Sequence, residues 1–253
     1  MLLEGKNAVV YGAGGLGAGV ARTFAREGAR VFLAGRTREP LEALAAEIGA
    51  DATVLDVLDE RAVEEHVGDV VSRGGSIDVS FNLTSREDKQ GTPVIELSVE
   101  DFTRAPHTAL TAQFITARAA ARRMTEQGAG VILSVTSGTA RYPSPGMGNT
   151  GPADAVVEQL MRTLAHELGP SGVRVVGIYT AAVAETLTSE RIARVTGHEV
   201  DPQAIIAGVA QGAMLRRAPA LAHVADTAAF LASDRAGDIT GTIVNVTCGL
   251  VQG

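Results

Sequence analysis

Short apolar runs separated by stretches of helical period constrain this chain more than any other feature. The runs fall at residues 8–11, 31–34, 53–55, 77–81, 131–133, 173–179 and 243–246, seven in all. Most are near-continuous rather than alternating, as strands are when a parallel sheet is covered on both faces. Between them apolar residues recur at helical spacing. Leu41, Leu44, Ala45 and Ile48 share one face, and a longer helix is expected from about residue 98 to 127. Strand alternating with helix implies right-handed crossovers. The pattern therefore predicts an α/β fold, a doubly wound, Rossmann-like parallel sheet of seven strands with helices on both faces. No linker, repeat or low-complexity tract divides residues 1–253, so a single domain is expected. Residues 186–212 read as an insertion over the carboxyl edge of the sheet, where open α/β folds bind ligands, and are expected to act as a substrate lid.

Composition narrows the partners. The chain is 45% hydrophobic and 20% charged, which excludes disorder and coiled coil. A net charge of −7 and the absence of Trp argue against a nucleic-acid surface, which needs a basic footprint and stacking platforms. No apolar run approaches the roughly 18 to 20 residues of a membrane span. The single cysteine, Cys248, cannot form an internal disulfide, and the N-terminus lacks the layout of a signal peptide. A cytoplasmic protein with a small-molecule substrate is expected.

Gly12-Ala13-Gly14-Gly15-Leu16-Gly17 follows the first strand and precedes a helical pattern of Val20, Ala21, Phe24 and Ala25. Glycines there permit a tight turn and let a pyrophosphate approach the backbone at a helix N-terminus. Dinucleotide folds that bind NAD usually carry an acidic residue at the end of the second strand. Here the chain reads Ala34-Gly35-Arg36-Thr37-Arg38, with a guanidinium where the carboxylate is absent. That suits a 2′-phosphate, so NADP(H) is the expected cofactor. No His, Cys and carboxylate cluster has metal-ligand spacing, and no metal is expected.

With these motifs in view, the chain resembles the short-chain dehydrogenase/reductase family along its whole length. Leu55-Asp56-Val57 is similar to the family's acidic turn at the adenine, and Asn82 to its strand-four Asn. Ala229 to Asp234 and Ile239-Thr240-Gly241 through Val246 are similar to its last helix and strand. The resemblance implies that Gly12, Gly14, Gly15, Leu16, Gly17, Arg36, Thr37, Asp56, Val57, Asn82, Val183 and Thr186 hold the cofactor. It also implies a homotetramer or homodimer built through the two long helices and the C-terminal strand.

The family's catalytic set is a Ser that orients the substrate carbonyl, a Tyr that transfers the proton, a Lys that holds the nicotinamide ribose, and an Asn that props a water relay. Ser137 matches the Ser. Counting on by thirteen and seventeen residues, the Tyr and Lys positions read Thr150 and Asp154, and the Asn position reads Ala109. Lys6 and Lys89 are the only lysines, so no realignment restores the Lys. Two readings stand for the replacements: Thr150 caps a helix and Asp154 lies in its first turns, or Asp154 has a new acid-base role. Tyr142 is a substitute proton donor or a packing residue, and Tyr179 lines the nicotinamide pocket or packs at a strand end. His107, His166 and His198 are expected to be structural or solvated. The sequence thus points to an NADP(H)-dependent oxidoreductase with a non-standard site, reducing a carbonyl, imine or enone. The alternatives are a non-redox relative (cyclase, dehydratase or isomerase) and a non-catalytic dinucleotide-binding protein.

Overall fold

All seven strands join one parallel sheet in the order β3-β2-β1-β4-β5-β6-β7, in a computed structural model that describes residues 1–252. The strands are β1 (Asn7–Tyr11), β2 (Arg30–Gly35), β3 (Asp51–Val54), β4 (Val79–Asn82), β5 (Gly130–Thr136), β6 (Val173–Thr180) and β7 (Ile243–Val246). The helices are α1 (Gly15–Arg26), α2 (Arg38–Ile48), α3 (Glu60–Gly74), α4 (Val99–Gln127), α5 (Thr150–Leu168), α6 (Ser189–Thr196), α7 (Pro202–Gly212) and α8 (Leu221–Ala232). The chain builds outward from β1 to β3, then returns across β1 to lay down β4, so the order reverses between β1 and β4.

Each central strand feeds two apolar layers because successive side chains point to opposite faces. Val10, Leu33, Leu133 and Val176 meet Val20 and Phe24 of α1, Leu41 of α2 and Ala228 of α8. Their neighbours Val9, Phe32, Ile132 and Val175 meet Val63 of α3, Ala117 of α4 and Val157 of α5. Burying each large side chain contributes about 1.5–3 kcal/mol. Several helices are started by side-chain caps: Asp59 accepts from the Ala62 amide, and Ser98 from the Asp101 amide.

Three boundaries differ from those read in the sequence. β4 starts at Val79 rather than Ile77, because the Asp78 carboxylate takes the Asn7 amide at 2.8 Å where a ladder bond would form. β3 spans Asp51–Val54, starting two residues earlier and ending one earlier, with the Leu55 amide still bonded to the Gly35 carbonyl of β2 at 3.1 Å. Thr150 does not cap α5; Asn149 holds that position, and Thr150 opens the helix with its hydroxyl drawn away to Asp88 and Gln90. Segment 186–212 begins at the end of a 3-10 turn (Ala184–Thr186) and continues into α6 and α7. Of these two helices only Ile192 is buried, and the Val195 carbonyl accepts the Gln90 amide at 2.9 Å. No helix among the described residues is long and apolar enough to cross a membrane.

Candidate active site

Two positions in the turn from β1 into α1 leave no room for a side chain. A Cβ on Gly17 would stand 2.0 Å from the Gly12 carbonyl oxygen, and one on Gly12, at φ +100°, would stand 3.0 Å from the Leu83 oxygen. Gly14 occupies the N-cap of α1 with extended backbone and no side-chain cap, and no acidic residue lies in the first turn. A Cβ on Gly14 would meet nothing within 4 Å. The start of α1 therefore lacks a side-chain cap and an internal anion, the condition under which a helix N-terminus takes a phosphate. Leu16 packs against the apolar layer behind the turn, while Gly15 lies against the buried Thr186, whose Cβ would be 3.1 Å from a Cβ on Gly15.

At the ends of β2 and β3 the structure brings Arg36 and Asp56 together. Arg36 and Thr37 are exposed, and the nearest Arg36–Asp56 approach is 3.9 Å, with 58% of the Arg36 side chain open to solvent. Asp56 accepts the Leu58 amide at 3.0 Å, and Val57 is buried. On the other side of the turn Asn82 is buried. Its Nδ2 donates to Thr116 at 3.2 Å, and its Oδ1 accepts the Thr84 amide and hydroxyl at 3.0 and 2.7 Å. Asn82 thus fixes the backbone that leaves β4. Val183 is buried, and its carbonyl accepts the Thr186 hydroxyl at 2.9 Å.

Ser137, just beyond β5, and Asp154, on α5, form the centre of a polar network. Asp154 is fully buried, and its Oδ2 accepts four bonds: the Ser137 amide at 3.1 Å and hydroxyl at 2.6 Å, and the Thr139 amide at 3.2 Å and hydroxyl at 2.7 Å. Its Oδ1 accepts from Nη1 of Arg86, whose Nε donates to Asp88 at 2.7 Å. Asp88 also accepts the Thr150 hydroxyl at 3.0 Å, and Thr150 accepts from Gln90. A carboxylate only accepts, so Asp154 draws the hydroxyls of Ser137 and Thr139 together, and these two also lie 2.8 Å from each other, where either can donate. Two flanking carboxylates hold the Arg86 guanidinium ionised, with its pKa raised. Ala109 lies apart, packed in the apolar layer of α4.

The remaining aromatic and titratable residues lie elsewhere. Tyr142 is 39% exposed on the loop after β5. Tyr179 lines a separate cavity of about 310 Å³ with Arg141, Arg162 and Asn245, and burial together with Glu158 pushes its pKa up to about 12. His107, His166 and His198 are exposed, and no group of three or more metal-ligating side chains occurs among the described residues. Arg86, Asp88 and Thr139 escaped the sequence reading. Arg86 and Asp88 lie in an irregular loop with no motif, and only the return of that loop to α5 brings them to Asp154.

Comparison with known proteins gives these features a family. Residues 12–251 match the family model described as enoyl-(acyl carrier protein) reductase. The chain is 33% identical to short-chain dehydrogenase reductase 5 of Arabidopsis thaliana over 98% of this chain and 95% of that protein. Its fold is similar to 3-ketoacyl-(acyl-carrier-protein) reductase from Brucella melitensis complexed with NADH, with a TM-score of 0.87 and 28% identity over 99% and 100% of the two chains. NAD+-bound xylitol dehydrogenase gives a TM-score of 0.85 and 28% identity over 98% and 100%. With its glycine turn, doubly wound sheet and near-complete overlap with these relatives, the chain belongs to the short-chain dehydrogenase/reductase family.

Proposed function

We propose that the chain is an NADP(H)-dependent oxidoreductase with a non-standard active site that reduces a carbonyl, imine or enone of a small molecule. The three relatives compared above are named as a dehydrogenase or reductase, and the two with bound nucleotide carry NAD+ or NADH. The observation that carries the NADP(H) assignment is Arg36. It stands at the carboxyl end of β2, largely exposed and only loosely paired with Asp56 at 3.9 Å, so its planar donors can turn to a 2′-phosphate. The α1 amides take the pyrophosphate, Asp56 and Val57 flank the adenine, and Asn82, Val183 and Thr186 line the far side.

When bound, the dihydronicotinamide supplies hydride. The protein's part is to hold the acceptor beside it, and positioning of this kind is worth about 7–11 kcal/mol. A general acid adds only about 10² to 10⁴ in rate. Thr150 and Asp154 fill the positions where the resemblance places Tyr and Lys, and neither offers a proton: a Thr hydroxyl is not acidic, and Asp154 is saturated with donors. Ser137 is held beside the substrate by Asp154 and Thr139. Protonation therefore falls to water or to Tyr142. Acceptors that need no proton at the moment of transfer fit best: an iminium, a conjugated enone, or a ketone with its own acidic hydroxyl.

Segment 186–212 acts as the lid in this reading, within a single domain of 1–253. A homodimer or homotetramer through α4, α5 and β7 and a cytoplasmic setting, suited to the lone free thiol of Cys248, complete it. Calorimetric titration with NADPH and NADH is the test, followed by NADPH consumption with carbonyl, imine and enone acceptors. Tight NADPH with weak NADH is expected. Equal affinities would overturn the Arg36 assignment, and turnover of an acceptor without NADPH loss would overturn the redox reading.

A further inference from the structure

We propose that Arg86 grips the nicotinamide half of the dinucleotide, an inference that rests on the cofactor reading above. In a doubly wound sheet the ligand lies across the carboxyl edge where the strand order reverses. That point falls between β1 and β4. With Arg36 and Asp56 at the ends of β2 and β3 on one side, the second nucleotide extends over the ends of β4 and β5, where Ser137 and Asp154 meet.

Arg86 is the cation held at that place. Its Nε is taken by Asp88 and its Nη1 by Asp154, but Nη2 makes no hydrogen bond to a described residue and is not sealed from solvent. About a fifth of the side chain is open, at 20% exposure. The same space adjoins the glycine turn. Arg191 of α6 donates to the Thr186 carbonyl at 3.3 Å, would lie 3.5 Å from a Cβ on Gly15, and feels the charges of Asp88, Arg194 and Arg86. Arg191 thus stands near both the glycine turn and the Arg86–Asp88 pair.

The loop that carries Arg86 is anchored. The Lys89 amide donates to Asn149 at 2.8 Å, Gln90 reaches Thr150 at 3.0 Å, and Glu87 takes a left-handed turn at φ 63° between Arg86 and Asp88. A guanidinium clamped by two carboxylates on a pinned loop is a rigid fork with free N–H donors. Such donors complement oxygen acceptors, and the nicotinamide nucleotide offers ribose hydroxyls and a carboxamide oxygen.

The test is calorimetry of the whole protein with NADP+ and with adenosine 2′,5′-bisphosphate, which has the adenine half alone. The variants are R86K and the double variant R86Q/D154N, which removes both charges of the Arg86–Asp154 pair together, so that the fully buried Asp154 carboxylate is not left unpaired while Asp88 keeps the Thr150 hydroxyl. Wild type is expected to bind NADP+ at least about tenfold more tightly than the bisphosphate. Both variants should hold the bisphosphate within about threefold of wild type. R86Q/D154N should lose the NADP+ advantage and R86K part of it. Unchanged or tighter NADP+ binding by R86Q/D154N would overturn the inference, since the guanidinium would then merely fill the space. If neither ligand binds wild type, the dinucleotide reading itself falls and takes this inference with it.

Discussion

The Ser137 hydroxyl donates to the buried Asp154 carboxylate across 2.6 Å, and Asp154 faces Arg86 on its other oxygen. A serine just beyond β5 is thereby tied to a buried charge. The carboxylate beneath it depends on a cation that arrives from the start of the β4–α4 loop, four residues after β4.

That dependence predicts strong coupling. Asp154→Ala should cost about 3 kcal/mol of stability, because it leaves the hydroxyls of Ser137 and Thr139 and one face of Arg86 without their acceptor. In urea unfolding, R86Q/D154N should lose less than the sum of its two single variants. Simple additivity would show that the two charges do not support each other.

The glycine turn predicts a contrast between two glycine-to-alanine changes. Gly17→Ala places a Cβ 2.0 Å from the Gly12 oxygen, so the turn must shift and NADPH affinity should fall by at least about tenfold. Gly68→Ala, inside α3 with nothing within 4 Å, should raise stability by about 0.5–1 kcal/mol and leave binding alone. Titration and thermal melts of both proteins check the pair.

Arg36→Ala should weaken NADPH about tenfold or more, the worth of a charge-assisted contact to phosphate, and NADH far less. The exposed, loosely paired state of Arg36 makes a folding defect an unlikely source of any loss, since surface pairs contribute about 1 kcal/mol or less. Parallel loss for both cofactors would count against a 2′-phosphate site.

His66 on α3 predicts an acid limb to stability. It is 5% exposed, packs edge-on to Tyr11 with ring centroids 6.1 Å apart, and neither ring nitrogen has a partner. Burial lowers its pKa from 6.5 to about 4. The unfolded chain therefore binds a proton that the fold refuses between those values. Its contribution is intact above pH 6.5 and is lost as pH falls toward 4. At about pH 5 the loss should reach about 2 kcal/mol. His66→Leu should flatten this limb in urea unfolding at about pH 7 and pH 5; an unchanged slope would assign it to other groups.

The seven-stranded plan and the turn at Gly12 to Gly17 were written in the sequence because both rest on local chemistry. Apolar runs such as 173–179 mark strands buried on both faces, and Gly17 is required by contact with a residue five positions away. The polar network at Asp154 was not. Its members come from residues 86, 88, 137, 139 and 150 as well as 154, and nothing at residue 86 announces that its loop folds back onto α5. Thr150, read as a helix cap from its spacing, was instead claimed by Asp88, because a hydroxyl goes to the carboxylate that the tertiary fold delivers. The sequence by itself determined the sheet, its glycine cradle and the exposed Arg36, all set by periodicity and near-neighbour sterics. Only the tertiary structure decided which cation neutralises Asp154 and which hydroxyls gather on it, since a buried charge takes its partners from whatever distant segment packing brings within reach.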